Sequence, residues 1–299
     1  MRLAVLGSGS RGNALALEAE GAVLLVDAGF SARELERRAV AAGFALERLV
    51  GIALTHEHGD HATGAPMLAR RFGVPLLCSA GTLGALLPRA PWLTHHRVGL
   101  GRVADAGPFT VEGCPTSHDA AEPLALTVRL AGGAAVGVAY DLGRPSAALR
   151  WFLREMGALV LEANHDEVLL RTSEYPAAVR QRIAGHGGHL SNRACAELLE
   201  ELVHPGLGHV VLAHLSERCN TEADARATVE PALAAAGFTG MLHVASQNGG
   251  PGPLDLGALH TPAAHRTPAG PAPALPRGDT EAPGQAPRSS GHRPTRPAS

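Results

Sequence analysis

The densest group of possible metal ligands in this sequence lies within a run of six residues. Residues 56–61 alternate histidine with other side chains and follow the apolar segment 50–54. Zinc and similar divalent ions prefer imidazole and carboxylate ligands, and a catalytic site keeps one coordination position for water. Alternate residues of an extended chain point the same way, so one ion is expected between the first two histidines and a second beside the pair that follows. These four side chains are His56 and His58, then Asp60 and His61.

One short motif cannot complete two coordination spheres, and three other side chains are candidates to do so. Each follows a hydrophobic run that is typical of a buried strand. Taken alone, each fits an ordinary polar residue at a strand end. Together with residues 56–61 they supply the number and type of ligands that two ions require. The three are His118 after residues 109–114, Asp141 after residues 136–140 and His214 after residues 210–213.

His189 is a candidate for direct chemistry without being a metal ligand. It stands two residues before Ser191, which the pattern predicts as the N-cap of a helix. The amides and dipole of a helix N-terminus attract anions. His189 is thus placed to contact a phosphate or to protonate a leaving oxygen, and the alternative is a polar residue near a cap.

Four weaker features surround these candidates. The glycine-rich segment 8–13 either presents N–H groups to a phosphate or forms a tight turn at the mouth of the site. Asp27 is expected to hydrogen-bond the loop that carries residues 56–61. His165 is either a substrate contact or a support for a ligand. Arg11 and Arg218 are the arginines that we expect nearest the site.

Short strands and helices alternate along the chain and must position these residues. Mixed strands flanked by helices in both halves predict an α+β fold with four layers, an αββα sandwich of two mixed β-sheets between helices. Glu20 and Gly21 predict a hairpin turn. The predicted strands are 3–6, 14–17, 23–26, 50–54, 75–78, 109–114, 124–130, 135–139, 158–162, 209–213 and 241–244, and the predicted helices are 31–42, 61–71, 176–183, 191–203 and 221–235.

Composition limits the class of protein. The 299 residues are 45% hydrophobic and carry a net charge of −2, with no lysine, which excludes a generally basic nucleic-acid binder. The four cysteines form no CxxC pair, so a disulfide scaffold or a thiolate zinc site is not expected. We find no apolar run of the roughly 20 residues that a membrane span needs, and no signal peptide. A cytoplasmic location without membrane contact is the expectation.

The composition also predicts a boundary near residue 258. Beyond it the chain consists mainly of Pro, Ala, Gly, Arg and Ser, which cannot bury enough apolar surface to fold. We therefore expect a hydrolase domain over residues 1–258 and a disordered tail over residues 259–299. Residues 1–258 contain 21 arginines and 26 acidic residues, a net charge of −5 that bound metal would partly offset.

The HxHxDH pattern and its partners resemble the metallo-β-lactamase superfamily over about residues 1–258. All seven candidate ligands match the residue types of that superfamily. The resemblance implies that one ion is held by three histidines, that the other is held by a carboxylate and two histidines, and that a further carboxylate bridges the two ions. The corresponding residues are His56, His58 and His118 for one ion, Asp60, His61 and His214 for the other, and Asp141 for the bridge.

Other segments narrow the resemblance to one branch. Residues 8–13, 27–29 and 161–166 resemble the WalJ (YycJ) group of bacterial proteins. Residues 188–192 and 213–220 resemble that group and also the tRNA 3′-processing endonucleases, in which a strand-end histidine is followed by Ser-x-Arg.

The expected activity is that of a dinuclear metal-dependent hydrolase. Two divalent ions, Zn or Mn, about 3.5–4 Å apart would share a hydroxide and stabilise both the attacking and the leaving oxygen of a phosphodiester. Asp60 would bind metal and orient the hydroxide, and His189 would act as general acid. The contexts of His189 and His214 favour a nuclease acting on DNA or RNA, with exonucleolytic action among the modes left open. The alternatives are hydrolysis of an ester, thioester or lactone, and a metal-bound regulatory protein with little turnover.

Overall fold

Hydrophobic strands from both halves of the chain form two mixed sheets in this computed structural model, which describes residues 1–250 and 252–257. Numbered along the chain, the strands of the first sheet follow the spatial order β14-β1-β2-β3-β4-β5-β6. In this order the neighbours β14, β1, β2 and β3 pair antiparallel, and the neighbours β3, β4, β5 and β6 pair parallel. Their bounds are β1 (Arg2–Gly7), β2 (Ala14–Ala19), β3 (Ala22–Val26), β4 (Leu49–Ala53), β5 (Leu76–Cys78), β6 (His95–Arg97) and β14 (Leu254–Asp255).

The second sheet has the same mixed character. Its spatial order is β13-β12-β11-β10-β9-β8-β7. Strands β10 to β13 pair parallel, and strands β7 to β10 pair antiparallel. Their bounds are β7 (Val103–Ala106), β8 (Phe109–Pro115), β9 (Leu124–Leu130), β10 (Ala135–Ala139), β11 (Ala158–Glu162), β12 (His209–Ala213) and β13 (Met241–Val244).

Helices cover the outer face of each sheet. Because side chains alternate across a strand, Leu24 of β3 packs between the two sheets and Leu25 packs under helices. Val136 of β10 belongs to the same central core as Leu24, while Leu159 of β11 belongs to the core under the outer helices of the second sheet. The helices are α1 (Ala32–Ala41), α2 (Gly59–Ala62), α3 (Ala65–Phe72), α4 (Ala80–Leu86), α5 (Ala147–Phe152), α6 (Glu167–Thr172), α7 (Ala177–Ile183), α8 (Asn192–Leu202) and α9 (Glu222–Ala235), with a 3-10 turn at Leu46–Arg48.

The predicted αββα sandwich is therefore confirmed, and so is the first hairpin. Glu20 and Gly21 join β2 to β3 with φ angles of 51° and 76°. Positive φ at both central residues is the geometry that matches the twist of a two-residue hairpin. The predicted tail, residues 259–299, lies outside the described residues. Among the residues described, no helix is long and apolar enough to span a membrane.

The predicted helix over residues 61–71 is wrong as a single element. The chain forms the short helix α2, passes through Thr63 and Gly64, and then begins α3. Pro66 lies in the first turn of α3. It has no N–H to donate to the carbonyl of Ala62, and its ring opposes continuation of α2.

Candidate metal centre

Strand ends from both sheets meet at one edge of the molecule. Strands β10, β11 and β12 are parallel, and β8 runs in the same direction because β9 is antiparallel to both β8 and β10. The carboxyl ends of these strands therefore share an edge, as do those of β3 and β4. This edge carries the seven predicted ligands, and the structure brings all of them into one cluster.

Three histidines form one half of this cluster. His56 Nε2 lies 3.1 Å from His58 Nδ1. The ring centroid of His118 lies 5.2 Å from those of both His56 and His58. One ligand nitrogen from each of the three lies within 4.8 Å of the others. Three imidazoles at this spacing fit the ligand set of a single divalent ion.

Two carboxylates and two histidines form the other half. His61 Nε2 lies 2.6 Å from Asp141 Oδ2 and 3.6 Å from Asp60 Oδ2. His214 Nε2 lies 3.9 Å from Asp60 Oδ2. Asp141 Oδ2 is also 3.7 Å from His56 Nε2, which belongs to the first half. Asp141 thus lies between the two halves, where a carboxylate could contact two ions.

Several buried polar atoms in this cluster lack partners that a folded protein normally supplies. Within the described residues, no contact of Asp141 Oδ1, Asp141 Oδ2 or His214 Nε2 has the geometry of a hydrogen bond, although His61 Nε2 lies close to Asp141 Oδ2. Asp141 is 2% exposed and His214 is 3% exposed. Leaving such groups unpaired is costly, so buried charges are normally paired or coordinate a metal. The donor set and its unpaired atoms fit bound divalent ions.

The outer nitrogens of five site histidines are already engaged. His61 Nδ1 lies 2.7 Å from Asp27 Oδ2, and His56 Nδ1 lies 3.0 Å from Thr55 Oγ1. A hydrogen bond at Nδ1 fixes the tautomer and leaves Nε2 to face an ion or a substrate. The remaining Nδ1 contacts are His118 with the Gly188 carbonyl at 3.4 Å, His189 with Glu162 at 2.8 Å and His214 with Glu162 at 2.9 Å.

Glu162 was missed as a site residue, although it ends the buried strand β11 just as Asp141 follows β10. It is fully buried, and its Oε1 lies near the Nδ1 atoms of both His189 and His214. Its Oε2 accepts 3.0 Å hydrogen bonds from the backbone N–H groups of Leu142 and Leu190. With both oxygens engaged in this way, Glu162 is placed to orient two histidines.

The backbone is strained where it delivers three of these side chains. Asp27, Asp141 and His214 have φ angles of 58°, 54° and 55°. Such left-handed conformations are uncommon for residues other than glycine and cluster at functional sites. Asp27 uses this conformation to accept hydrogen bonds from the Thr55 N–H and hydroxyl, both at 2.8 Å, as predicted for support of the metal-binding loop.

Nearby carboxylates favour the protonated, positively charged forms of His61 and His189. Burial would lower the pKa of His61, but the carboxylates of Asp141 and Asp27 raise it well above its usual value. Burial likewise opposes protonation of His189, yet Glu162 and Asp141 raise its pKa to about 10. His56 differs, because burial and the neighbouring His61 lower its pKa to about 2. A neutral His56 keeps the lone pair that a metal ligand needs.

The glycine-rich segment 8–13 forms a turn against the site. The backbone N–H of Asn13 donates to the Asp60 carbonyl at 2.7 Å, and the His214 N–H donates to Ser8 Oγ at 2.8 Å. Gly29, which lies outside this segment, packs against the same carbonyl of Asp60, and an added Cβ there would lie 1.7 Å from the carbonyl oxygen. The segment therefore fixes the backbone of two predicted ligands, Asp60 and His214.

The weaker predictions had mixed outcomes. Arg11 Nη2 contacts Glu217 Oε1 at 2.5 Å, and the Arg218 guanidinium lies 5.5 Å above the Tyr175 ring. Neither guanidinium donates to a predicted ligand within the described part of the chain. His165 is 2% exposed and lines a cavity together with His189.

Comparison with known proteins identifies the family. The model of the metallo-β-lactamase superfamily matches residues 7–159. The exodeoxyribonuclease YycJ of Bacillus anthracis is 32% identical over 241 residues, which cover 80% of this chain and 91% of that protein. The exodeoxyribonuclease WalJ of Streptococcus pneumoniae is 31% identical over 240 residues, covering 79% of this chain and 89% of that protein.

A solved structure supports the same fold. Human tRNase Z, short form, is 17% identical and superposes with a TM-score of 0.55 over 73% of this chain and 94% of that chain. The chain belongs to the metallo-β-lactamase superfamily and is a metal-dependent hydrolase. The predicted family and its WalJ (YycJ) branch are confirmed.

Proposed function

We propose that this member of the metallo-β-lactamase superfamily is a two-metal exonuclease that hydrolyses phosphodiester bonds in DNA. The observation that carries the proposal is the position of His189. Its ring centroid lies 5.5 Å from that of His118 and 5.2 Å from that of His214, one predicted ligand of each ion. A proton donor next to both halves of the cluster suits a reaction with a charged leaving oxygen.

The proposed ligand sets follow the two halves of the cluster. His56, His58 and His118 would hold one ion, Asp60, His61 and His214 would hold the other, and Asp141 lies between the two sets. Two ions bound there would supply an activated water and stabilise negative charge on the attacking and leaving oxygens of a phosphodiester. Zinc and manganese both suit histidine and carboxylate ligands.

The protein's own contribution to the reaction centres on His189. Glu162 binds its Nδ1 at 2.8 Å, which fixes the ring and leaves Nε2 to donate a proton to the leaving oxygen. The His189 side chain is 24% exposed and lines a cavity, so a substrate can reach it. Asp60, 29% exposed, is the most accessible carboxylate among the proposed ligands and orients the attacking water.

DNA is favoured over RNA by the relatives. The YycJ and WalJ proteins described above, both more than 30% identical over most of their length, carry the name exodeoxyribonuclease. Their similarity covers 91% and 89% of the two relatives, so the same substrate class is the simplest assignment for this chain.

The test is hydrolysis by the purified full-length protein loaded with Zn or Mn. Oligonucleotides of DNA and RNA, single- and double-stranded, are labelled at either end and analysed for release of mononucleotides. Bis(p-nitrophenyl) phosphate, a thioester and a lactone are assayed in parallel. We expect stepwise shortening of DNA from one end and hydrolysis of the aryl phosphodiester.

Each other outcome points to a different assignment. Cleavage of the thioester or lactone alone would replace the nuclease assignment with ester hydrolysis. Fully metallated protein that hydrolysed none of these substrates while still binding a partner would indicate a regulatory role.

A further inference from the structure

A cavity of about 640 Å³ adjoins the proposed metal centre on the side of His189. It is bounded by residues of α6, α7 and α8 and by residues 143–145, which follow Asp141. Its size lies within the range of about 300–1,000 Å³ that is usual for sites of small molecules. The cavity is therefore large enough for a nucleotide placed next to the reacting phosphodiester.

The cavity is cationic, although residues 1–258 carry more acids than arginines. Its lining contains five arginines and two glutamates. Arg193 pairs with both of those glutamates, Glu167 and Glu197. Arg144 and Arg171 are exposed and have no acidic partner within the residues described. The five arginines are Arg144, Arg150, Arg171, Arg180 and Arg193.

A buried histidine in the same lining also lacks a partner. His165 is 2% exposed, and no described residue hydrogen-bonds its Nδ1. Its backbone is held in place, because the Asn192 N–H donates to the His165 carbonyl at 2.9 Å. A neutral imidazole has one donor and one acceptor, which suits the sugar or base of a nucleotide.

The N-terminus of α8 adds a third feature. Ser191, its N-cap, and Arg193 in its first turn line the cavity. The partial positive charge at a helix N-terminus favours a phosphate group. Two arginines without acidic partners, an unpaired buried imidazole and a helix N-terminus thus surround one space next to His189.

We propose that this cavity binds the nucleotide adjacent to the scissile phosphodiester, with Arg144 and Arg171 contacting phosphate groups of the strand and His165 hydrogen-bonding the nucleotide. This inference rests on the proposed nuclease function. It assigns the path of the strand past His189 and along α8, which the metal cluster alone does not define.

Equilibrium binding of DNA tests the assignment without depending on turnover. The probe is a fluorescein-labelled oligonucleotide with phosphorothioate linkages, and its anisotropy is measured with metal-loaded protein over a series of salt concentrations. The variants are R144A, R171A and H165F. The matched control is R129A, because Arg129 is exposed and pairs with Ala135 at the opposite end of β10 from Asp141.

Loss of one phosphate contact should weaken binding about tenfold and lower the salt slope by about one. We expect this result for R144A and R171A, weaker binding without a change of slope for H165F, and wild-type behaviour for R129A. Thermal unfolding of each variant identifies any that fail to fold.

Two failures can be told apart. If the wild-type protein bound and cleaved DNA while R144A and R171A kept its affinity and slope, the cavity assignment would be wrong and the nuclease function would stand. If the wild-type protein neither bound nor cleaved DNA, the nuclease function would fail, and the cavity assignment with it.

Discussion

Glu162 Oε1 lies 2.8 Å from His189 Nδ1, so a buried carboxylate orients the one histidine of the site that we do not assign to a metal ion. The same oxygen lies 2.9 Å from His214 Nδ1, which couples the proposed acid to a proposed ligand. A single side chain therefore positions both the proposed general acid and a proposed metal ligand.

Replacing His189 with alanine should lower kcat for DNA by about 10²–10⁴-fold while both ions stay bound. The loss should be far smaller with bis(p-nitrophenyl) phosphate, because p-nitrophenolate leaves without needing a proton. Steady-state kinetics on both substrates, with metal content measured on the same samples, test this. Equal losses on the two substrates would show that His189 does not act as a general acid, and loss of metal would show that it is a ligand.

Replacing Glu162 with glutamine should affect activity and metal binding together. Glutamine keeps the shape but loses the charge that both histidines face, and such outer contacts typically contribute about 10–100-fold to activity or metal affinity. Metal titration and kcat on DNA report the two effects. A variant with normal metal affinity and normal kcat would show that the charge of Glu162 is not needed to orient His189 and His214.

Much of the fold and the cluster could be predicted from the sequence, because apolar runs of β-branched and leucine residues end in isolated polar side chains. Asp141 and His214 stood out in this way. Glu162 ends β11 just as clearly, but a carboxylate that binds only protein groups carries no signal of metal chemistry. Strand β6 was missed because His95, His96 and Arg97 are all exposed and show no alternation.

Replacing Asp60 with alanine should abolish turnover and lower metal content. Asp60 Oδ2 lies 3.6 Å from His61 Nε2 and 3.9 Å from His214 Nε2, so its removal leaves one proposed ion with two histidines and the bridging carboxylate. Metal analysis and the nuclease assay check both effects. Wild-type activity in this variant would refute the assignment of Asp60.

Replacing Gly29 with alanine should destabilise the protein by about 3 kcal/mol or more and reduce activity, because the new Cβ would overlap the Asp60 carbonyl. The control is Gly84 in α4, where an added Cβ meets no atom within 4 Å. G84A should be neutral or stabilising by up to about 1 kcal/mol, because alanine favours a helix. Denaturant unfolding measures both. A G29A protein as stable as G84A would contradict the packing described here.

The central claim is that two ions bound by this cluster are required for hydrolysis of phosphodiester bonds in DNA. The most direct test titrates metal-free protein with Mn or Zn and measures exonuclease activity as a function of the number of ions bound. The account predicts no activity without metal, saturation at about two ions per chain and full activity only as the second ion binds. Hydrolysis of DNA by metal-free protein, or saturation at one ion with full activity, would contradict it.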